Sequence, residues 1–273
     1  MITGKIVGKK YVINGILADA SGKIPDMSAD IYYEVIRLID GKLLFLPDHL
    51  ARLQQSISRS GITYPGNKSI IENLSLLVKG SIFKEGNIRI SLQQSNGDEP
   101  VLQCYFIPYF YPDPPMYSNG VKLAVYPHIR PNPGIKKWDD QFRNSVSKYI
   151  LEHKVYEAAL LNSQNQITEG SRSNIFFIDQ NDILITTPER SILPGITRKY
   201  VLEIAALKGI QIKEEIKAKD ALNNLDSVFI SGTSPKVLPV KQIDDYYFDV
   251  NHPLLRLLMY EFELLVQKNL KSL

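Results

Sequence analysis

Three short segments of the sequence carry the residue types that bind an anion such as a phosphate. Gly195-Ile196-Thr197 follows Pro194 at the start of a segment with helical spacing, and the first turn of a helix presents unpaired N–H groups at the positive end of its dipole. Ser231-Gly232-Thr233-Ser234 follows an apolar run and could add amides and a hydroxyl. Arg52 could add a charge-assisted hydrogen bond. Each feature alone equally fits an ordinary cap, turn or solvated side chain.

Other common site chemistries lack their motifs. The sequence contains no G-x-G-x-x-G, no P-loop and no H-E-x-x-H. The four histidines, His49, His128, His153 and His252, lack the spacing of metal ligands, so we expect no metal. The single cysteine, Cys104, excludes an internal disulfide and a cysteine-rich metal site, and it fits a reducing compartment such as the cytoplasm.

Composition and charge argue against nucleic-acid and membrane partners. The 32 Lys and Arg residues nearly balance the 29 Asp and Glu residues, the net charge is +3, and the positive residues are scattered. No apolar run approaches the roughly 20 residues that a membrane span needs. Met1–Lys10 is too polar for a signal peptide. We therefore expect neither partner and a cytoplasmic location.

The 273 residues can form two domains, and the pattern along the chain predicts the elements that would position these groups. Alternation predicts a strand over Tyr32–Ile39, and helical spacing predicts a helix over Asp48–Ser58 with Asp48 as its N-cap. The proline-rich stretch Pro108–Pro133 favours a strand-containing crossover over a helix. We predict an α+β domain over residues 1–115 and a larger domain over residues 116–273.

Two more segments, Gly134–Asp139 and Thr168–Phe176, complete a pattern that spans most of the chain. Together with the segments above, they resemble the motifs of the class IV aminotransferases, in that family's order and with roughly its spacing. These are the fold-type IV enzymes that use pyridoxal 5'-phosphate, and they comprise branched-chain and D-amino-acid aminotransferases and aminodeoxychorismate lyase. The segments that carry the resemblance are Tyr32-Tyr33-Glu34-Val35, His49-Leu50-Ala51-Arg52-Leu53, Gly134-Ile135-Lys136-Lys137-Trp138-Asp139, Thr168-Glu169-Gly170-Ser171-Arg172-Ser173-Asn174-Ile175-Phe176, Leu193-Pro194-Gly195-Ile196-Thr197-Arg198 and Gly232-Thr233-Ser234.

The resemblance implies a two-domain fold and a cofactor. The small N-terminal domain would be α+β, and the C-terminal domain would be a β-barrel-like sheet flanked by helices that binds pyridoxal phosphate. It also implies a homodimer, because sites of the family are completed by loops of the neighbouring subunit.

The resemblance assigns the Schiff-base lysine to Lys136, with Lys137 as the competing residue. Ile135 precedes Lys136 and Trp138 takes the apolar place of the family motif, whereas Asp139 replaces its asparagine. Such a lysine supplies a neutral amine and then moves a proton as general base and acid.

The remaining cofactor contacts also follow from the resemblance. Glu169 would pair with the protonated ring nitrogen of the cofactor. Its phosphate would be held by Arg52, by the amides of Ile196 and Thr197, and by Thr233.

Substrate contacts are carried over as Tyr33, Arg37 and Arg89, and either arginine could pair bidentately with a carboxylate. Both arginines fit exposed positions on strands equally well. Gln94-Ser95 stands where D-amino-acid aminotransferases have Arg-Gly, so we do not expect specificity for D-amino acids. The sequence fits no single subfamily.

We therefore predict transfer of an amino group between an amino acid and a 2-oxo acid. One alternative is a β-elimination of the aminodeoxychorismate lyase type, which releases pyruvate. The other is a binding or scaffold protein that kept the fold and lost the chemistry. Its main arguments are Asp139 and the absence of the family's tyrosine after the lysine, since Asp140 or Gln141 falls there.

Overall fold

The computed structural model describes residues 6–20, 30–58, 60–94 and 98–272, and the chain divides into two compact units. The first unit takes the described residues up to Phe110, the segment Ile135–Asp140 and the end of the chain from Lys268. The second unit takes Tyr111–Gly134 and Gln141–Gln267. The prediction of two domains that meet at one boundary, between residues 115 and 116, stays a prediction.

The first unit is a six-stranded antiparallel sheet with two helices. In the sheet the strands follow the order β2-β1-β6-β5-β3-β4, and the predicted strand Tyr32–Ile39 is confirmed as β3. The elements are β1 (Lys10–Ile13), β2 (Ile16–Asp19), β3 (Tyr32–Ile39), β4 (Lys42–Leu43), α1 (Leu46–Ile57), α2 (Asn67–Lys79), β5 (Gly86–Gln93) and β6 (Val101–Ile107).

The two faces of this sheet differ because successive side chains of a strand point to opposite sides. One face is apolar and packs against α1 and α2, so that Ile36 and Ile90 share a core with Leu53 and Leu74. The opposite face is polar yet buried. It carries Tyr33, Asn87, Arg89, Ser91, Gln93, Gln103 and Tyr105, each less than 8% exposed. The polar face therefore carries the predicted substrate residues of unit 1, whereas Glu34 lies on the side that faces α1.

Helix α1 begins earlier than the sequence pattern predicts. Its N-cap is Phe45, which adopts the left-handed conformation with φ 53°, and Pro47 lies in the first turn. The prediction that Asp48 is the N-cap was wrong, because Asp48 is already inside the helix. A proline suits the first turn, where its missing N–H would have had no helical partner.

The second unit is built on a curled ten-stranded sheet in the order β12-β11-β10-β14-β15-β7-β8-β9-β13, with β16 pairing to β15. Its core contains Phe177, Val228, Ile230 and Leu238. The proline-rich stretch contains a short helix, α3, which the sequence pattern did not predict. The elements are α3 (Pro114–Asn119), β7 (Val121–Pro127), α4 (Asp140–His153), β8 (Glu157–Leu161), β9 (Gln166–Gly170), β10 (Asn174–Asp179), β11 (Leu184–Thr186), α5 (Ile196–Leu207), β12 (Ile212–Glu214), β13 (Lys217–Ala218), β14 (Leu225–Gly232), β15 (Lys236–Ile243), β16 (Tyr246–Tyr247) and α6 (Pro253–Lys271). The first residue of α4 and the last turn of α6 are counted with the first unit.

Over residues 6–20, 30–58, 60–94 and 98–272, no helix is long and apolar enough to cross a membrane.

Candidate active site

The segment Ile135–Asp140 pairs with the start of β3 and thereby sets the direction of two neighbouring lysines. The Tyr33 N–H donates to the Lys136 carbonyl at 3.1 Å, and the Trp138 N–H donates to the Ile31 carbonyl at 2.8 Å. Lys137 lies opposite Tyr32 as an antiparallel bridge. Because side chains alternate in such pairing, Lys136 and Lys137 point to opposite sides.

Lys136 lies on the polar side of the sheet. Its Nζ is 4.8 Å from the centroid of the Tyr33 ring, and its backbone N–H donates to Ser56 Oγ at 3.2 Å. Lys137 is exposed and forms a 2.8 Å ion pair with Asp30. The hydrogen bond that Lys137 donates to Asp30 raises the pKa of Lys137. A raised pKa disfavours the neutral amine that attacks a carbonyl. The surroundings of the two lysines thus favour Lys136 as the reactive amine.

A buried ion cluster fixes Arg52 on α1. Its Nε and Nη2 donate to Glu34 Oε1 and Oε2 at 2.7 and 2.6 Å, and His49 Nδ1 lies 2.8 Å from Oε2. Glu34 is fully buried. Burial alone would raise its pKa, but Arg52 and His49 outweigh this effect and lower the pKa of Glu34 to about 2. Burial lowers the pKa of His49, and the hydrogen bond with Glu34 offsets this lowering only in part. Glu34 therefore holds the Arg52 guanidinium by a bidentate pair.

In the second unit, Glu169 is held by two donors. It lies on β9 and is 2% exposed. Arg130 Nε donates to its Oε1 at 2.6 Å, and the Leu193 N–H donates to its Oε2 at 3.2 Å. The guanidinium favours the ionised carboxylate. Sequence reasoning missed Arg130, since no motif links it to a residue 39 positions away.

A second buried carboxylate shapes the turn that follows Glu169. Glu157 accepts hydrogen bonds from Ser171 Oγ at 2.5 Å and Ser173 Oγ at 3.3 Å. A Cβ at Gly170 would collide with Ser173 Oγ and lie 3.2 Å from Glu157 Cγ. Glycine avoids this collision without moving Ser173. The two serine hydroxyls tie the turn between Glu169 and Asn174 to Glu157.

The N-terminus of α5 forms a cradle for an anion. Gly195 is its N-cap, and no side chain of the described residues caps the first turn. A Cβ at Gly195 would collide with Oδ1 of Asn174 on β10, so the close approach of β10 to the helix start favours glycine. Ile196 and Thr197 open the helix, and both are buried.

An unpaired hydroxyl lies beside this cradle. Ser231 pairs with Asn174 across β14 and β10, so the two side chains share one face of the sheet. Ser231 is 1% exposed, and its Oγ has no hydrogen-bond partner among the described residues. Thr233 follows in the turn after β14 and is half-buried. A buried polar atom without a partner is costly, and a phosphate would satisfy it. The residues present therefore fit the phosphate of the predicted cofactor.

The predicted substrate residues lie on the polar face of the first sheet. Tyr33 is 4% and Arg89 5% exposed, whereas Arg37 on the same face is half-buried. Both ends of the Gln94 amide are engaged: Oε1 accepts from the Thr63 N–H in the loop between α1 and α2, and Nε2 donates to the Asp98 carbonyl. Ser95 lies outside the described residues.

In the described part of the chain, no three His, Cys, Asp or Glu side chains are grouped so that they could hold a metal ion.

The predicted site residues are divided between the two units. Lys136, Arg52, Tyr33, Arg37 and Arg89 belong to the first, and Glu169, Ile196, Thr197 and Thr233 to the second.

Known proteins share this sequence pattern and this fold. A family model described as amino-transferase class IV matches residues 32–243. The D-alanine aminotransferase of Bacillus licheniformis is 29% identical over 255 residues, which cover 86% of this chain and 88% of that protein.

Two solved structures show the same architecture. The branched-chain amino acid aminotransferase of Escherichia coli matches with a TM-score of 0.83 at 20% identity, covering 94% of each chain. A branched-chain amino acid aminotransferase from T.th., complexed with N-(5'-phosphopyridoxyl)-L-glutamate, matches with a TM-score of 0.83 at 19% identity, covering 97% of this chain and 96% of that chain. The predicted fold-type IV architecture is confirmed.

The cluster of Glu34, Arg52 and His49 predicts that the free energy of unfolding falls at acidic pH. The pKa of Glu34 is lowered from 4.5 to about 2 on folding, so its ionisation stabilises the fold above about pH 4.5, and this contribution is lost as the pH falls towards 2. We expect Glu34→Gln to lower the free energy of unfolding by on the order of 3 kcal/mol near neutral pH, and the deficit to shrink as the pH falls.

Urea denaturation of both proteins between about pH 7 and pH 3 measures this difference. Glu215→Gln is the control, because Glu215 pairs with Lys213 and Lys217 in a more exposed setting. A deficit that stays constant over the acid range would contradict the assignment.

Proposed function

The chain belongs to the class IV aminotransferases, and we propose that Lys136 is the residue through which it binds pyridoxal phosphate and moves the proton during amino-group transfer. Family membership, the activity class and the cofactor agree with the predictions from the sequence. The single observation that carries the proposal is the pairing that turns Lys136 towards Tyr33 and Lys137 away from it.

When bound, pyridoxal phosphate supplies an aldehyde that condenses with amines and a ring that accepts electrons from the substrate. Lys136 would provide the amine that holds the cofactor. Once the amino group of the substrate had taken its place there, the freed Nζ would be the base that takes the proton from the substrate α-carbon and the acid that gives it back. The Tyr33 ring, 4.8 Å from Nζ, covers one side of the amine.

Glu169 is proposed as the partner of the ring nitrogen. Arg130 and the Leu193 amide hold both of its oxygens, so the carboxylate stays ionised and fixed in orientation. An ionised carboxylate stabilises a proton on the ring nitrogen, and that proton is what allows the ring to accept electrons.

The phosphate is proposed to bind the amides of Ile196 and Thr197, with Thr233 and Arg52 as further donors. The uncapped first turn of α5 supplies the N–H groups and the positive end of the helix dipole. We add Ser231, whose buried hydroxyl has no partner among the described residues. Glu34 keeps the Arg52 guanidinium in one orientation.

The substrates are proposed to be an amino acid and a 2-oxo acid, both of which carry a carboxylate. Tyr33, Arg37 and Arg89 are the proposed contacts, and a complex with a phosphopyridoxyl-glutamate in one structural neighbour supports an acidic substrate. We further propose a homodimer, on the basis of the family resemblance, and a cytoplasmic location, on the basis of the single buried Cys104.

The lysine assignment predicts opposite outcomes for two neighbouring variants. Lys136→Ala should lose the visible absorbance band of covalently bound pyridoxal phosphate, and the rate should fall by about 10³-fold or more. Lys137→Ala should keep the band, because this exposed side chain pairs only with Asp30 among the charged groups described. Absorbance spectra before and after borohydride reduction, followed by peptide mapping, identify the modified lysine. A label on Lys137 would overturn the assignment.

Product analysis of the unmodified enzyme decides between transfer and elimination. A transferase needs a 2-oxo acid acceptor for repeated turnover. Steady release of pyruvate without an acceptor would favour the lyase alternative.

The ring-nitrogen assignment predicts a slow but loaded variant. Glu169→Gln should retain the cofactor and lose about 10²-fold or more in kcat, since a neutral amide cannot stabilise the ring proton. Spectroscopic titration of bound cofactor together with single-turnover rates tests both parts. Normal turnover in Glu169→Gln would exclude this role.

Ser231 predicts a loss of affinity without a loss of stability. Ser231→Ala removes a hydroxyl with no partner among the described residues, so the cofactor-free protein should keep its melting temperature while the affinity for pyridoxal phosphate falls about 10-fold. Ser227→Ala is the matched control on the same strand, because Ser227 Oγ already donates to the Asp249 carbonyl at 2.7 Å. The control should lower the melting temperature and leave the affinity unchanged. Equal affinities for Ser231→Ala and the wild type would contradict the assignment.

A further inference from the structure

Arg89 is a buried guanidinium held mainly by aromatic rings. Its Cζ lies 4.1 Å from the centroid of the Trp138 ring and 4.7 Å from that of Tyr33. Its Nε donates to Ser91 Oγ at 3.0 Å. Across residues 6–20, 30–58, 60–94 and 98–272, no carboxylate forms an ion pair with it. A buried charge without a counter-ion is costly, and an anionic ligand would supply one.

Trp138 is the only tryptophan of the chain. It lies two residues after Lys136, so the pairing with β3 turns both side chains to the same side. Its indole Nε1 donates to Asp140 Oδ1 at 2.7 Å, and its ring meets Tyr33 edge to face at 5.3 Å. Two contacts therefore fix the orientation of the indole before it meets Arg89.

This arrangement leaves one part of the guanidinium for a ligand. Aromatic rings attract a guanidinium through its flat face, and the N–H groups lie in the plane of the group. The contacts with Trp138 and Tyr33 place Cζ, the centre of the guanidinium, over the two rings, and Ser91 accepts only from Nε. The terminal N–H groups have the fork geometry that matches a carboxylate.

We propose that Trp138 is a positioning residue that holds Arg89 for the carboxylate of the substrate and thereby sets the affinity for that substrate. The inference rests on the proposed function and adds a residue to it. The ligand chemistry is a carboxylate, which can be the α-carboxylate that every substrate carries or the distal carboxylate of an acidic one.

Steady-state kinetics separates positioning from simple packing. Trp138→Leu should raise the KM for the 2-oxo acid about 10-fold, with kcat changed less than about threefold. Trp138→Phe keeps an aromatic face and should restore most of the affinity. Phe83→Leu is the matched control, because Phe83 is a half-buried aromatic residue of the same unit that packs on Phe106 instead. It should leave KM unchanged.

Two acceptors distinguish the source of the carboxylate. If Arg89 binds the α-carboxylate, Trp138→Leu should raise KM equally for 4-methyl-2-oxopentanoate and 2-oxoglutarate. If it binds the distal carboxylate, only the KM for 2-oxoglutarate should rise. Either result supports the proposal, and an unchanged KM for both acceptors overturns it.

A binding measurement without the cofactor provides an independent readout. Because Trp138 is the only tryptophan, its fluorescence reports on this site alone. Pentanedioate or 4-methylpentanoate, titrated into the cofactor-free protein at constant ionic strength, should change the emission of the wild type and of Phe83→Leu. The same titration should not change the emission of Arg89→Leu, and an equal change there would overturn the proposal.

The visible absorbance of the loaded enzyme separates the two possible failures. If the wild type and Trp138→Leu both bind pyridoxal phosphate covalently while KM and fluorescence do not respond, only the role of Trp138 is refuted. If the wild type itself forms no such band, the proposed function fails, whatever the fluorescence shows.

Discussion

The pairing of residues 136–138 with residues 31–33 is the constraint on which the chemistry proposed for this chain depends. Two backbone hydrogen bonds, from Tyr33 to Lys136 and from Trp138 to Ile31, fix the register. A shift of one residue would exchange Lys136 for Lys137, because side chains alternate across an extended segment. The same pairing directs Trp138 to Arg89, so the amine and the proposed carboxylate site depend on one contact.

Each unit also holds a pair of an arginine with a buried glutamate. Arg52 pairs with Glu34 in the first unit, and Arg130 pairs with Glu169 in the second. Removing two charges from water offsets much of their attraction, so such pairs are weak evidence for stability. Their value here lies in orientation: one fixes a cation proposed to meet a phosphate, and the other fixes an anion proposed to meet a protonated ring.

The sequence predicted those parts that follow from local pattern or from the family motifs. Alternation predicted β3, which is confirmed. The motifs predicted the family and the fold, which are also confirmed, whereas the roles that they assign to Lys136 and Glu169 stay predictions. Local reasoning failed at Asp48, because the left-handed Phe45 and the position of Pro47 set the helix start. Three features could not be predicted: the hydrogen bond of Arg130 to Glu169, the place of Ser231 beside Asn174, and the contact of Trp138 with Arg89. Each depends on residues far apart in sequence that only the folded chain brings together.

The lysine-bearing segment has a consequence for the order in which the protein can fold. Ile135–Asp140 belongs to the first unit, yet it is separated from Phe110 by 24 residues of the second unit, Tyr111–Gly134. When a ribosome has made only the first 110 residues, the six strands of the first sheet are present. The segment that pairs with the start of β3 has not yet been made. Contacts between residues about a hundred positions apart form late, because closing the intervening loop costs entropy. The amine of Lys136, the proposed link to the cofactor, is therefore among the last groups of its unit to reach its place during synthesis.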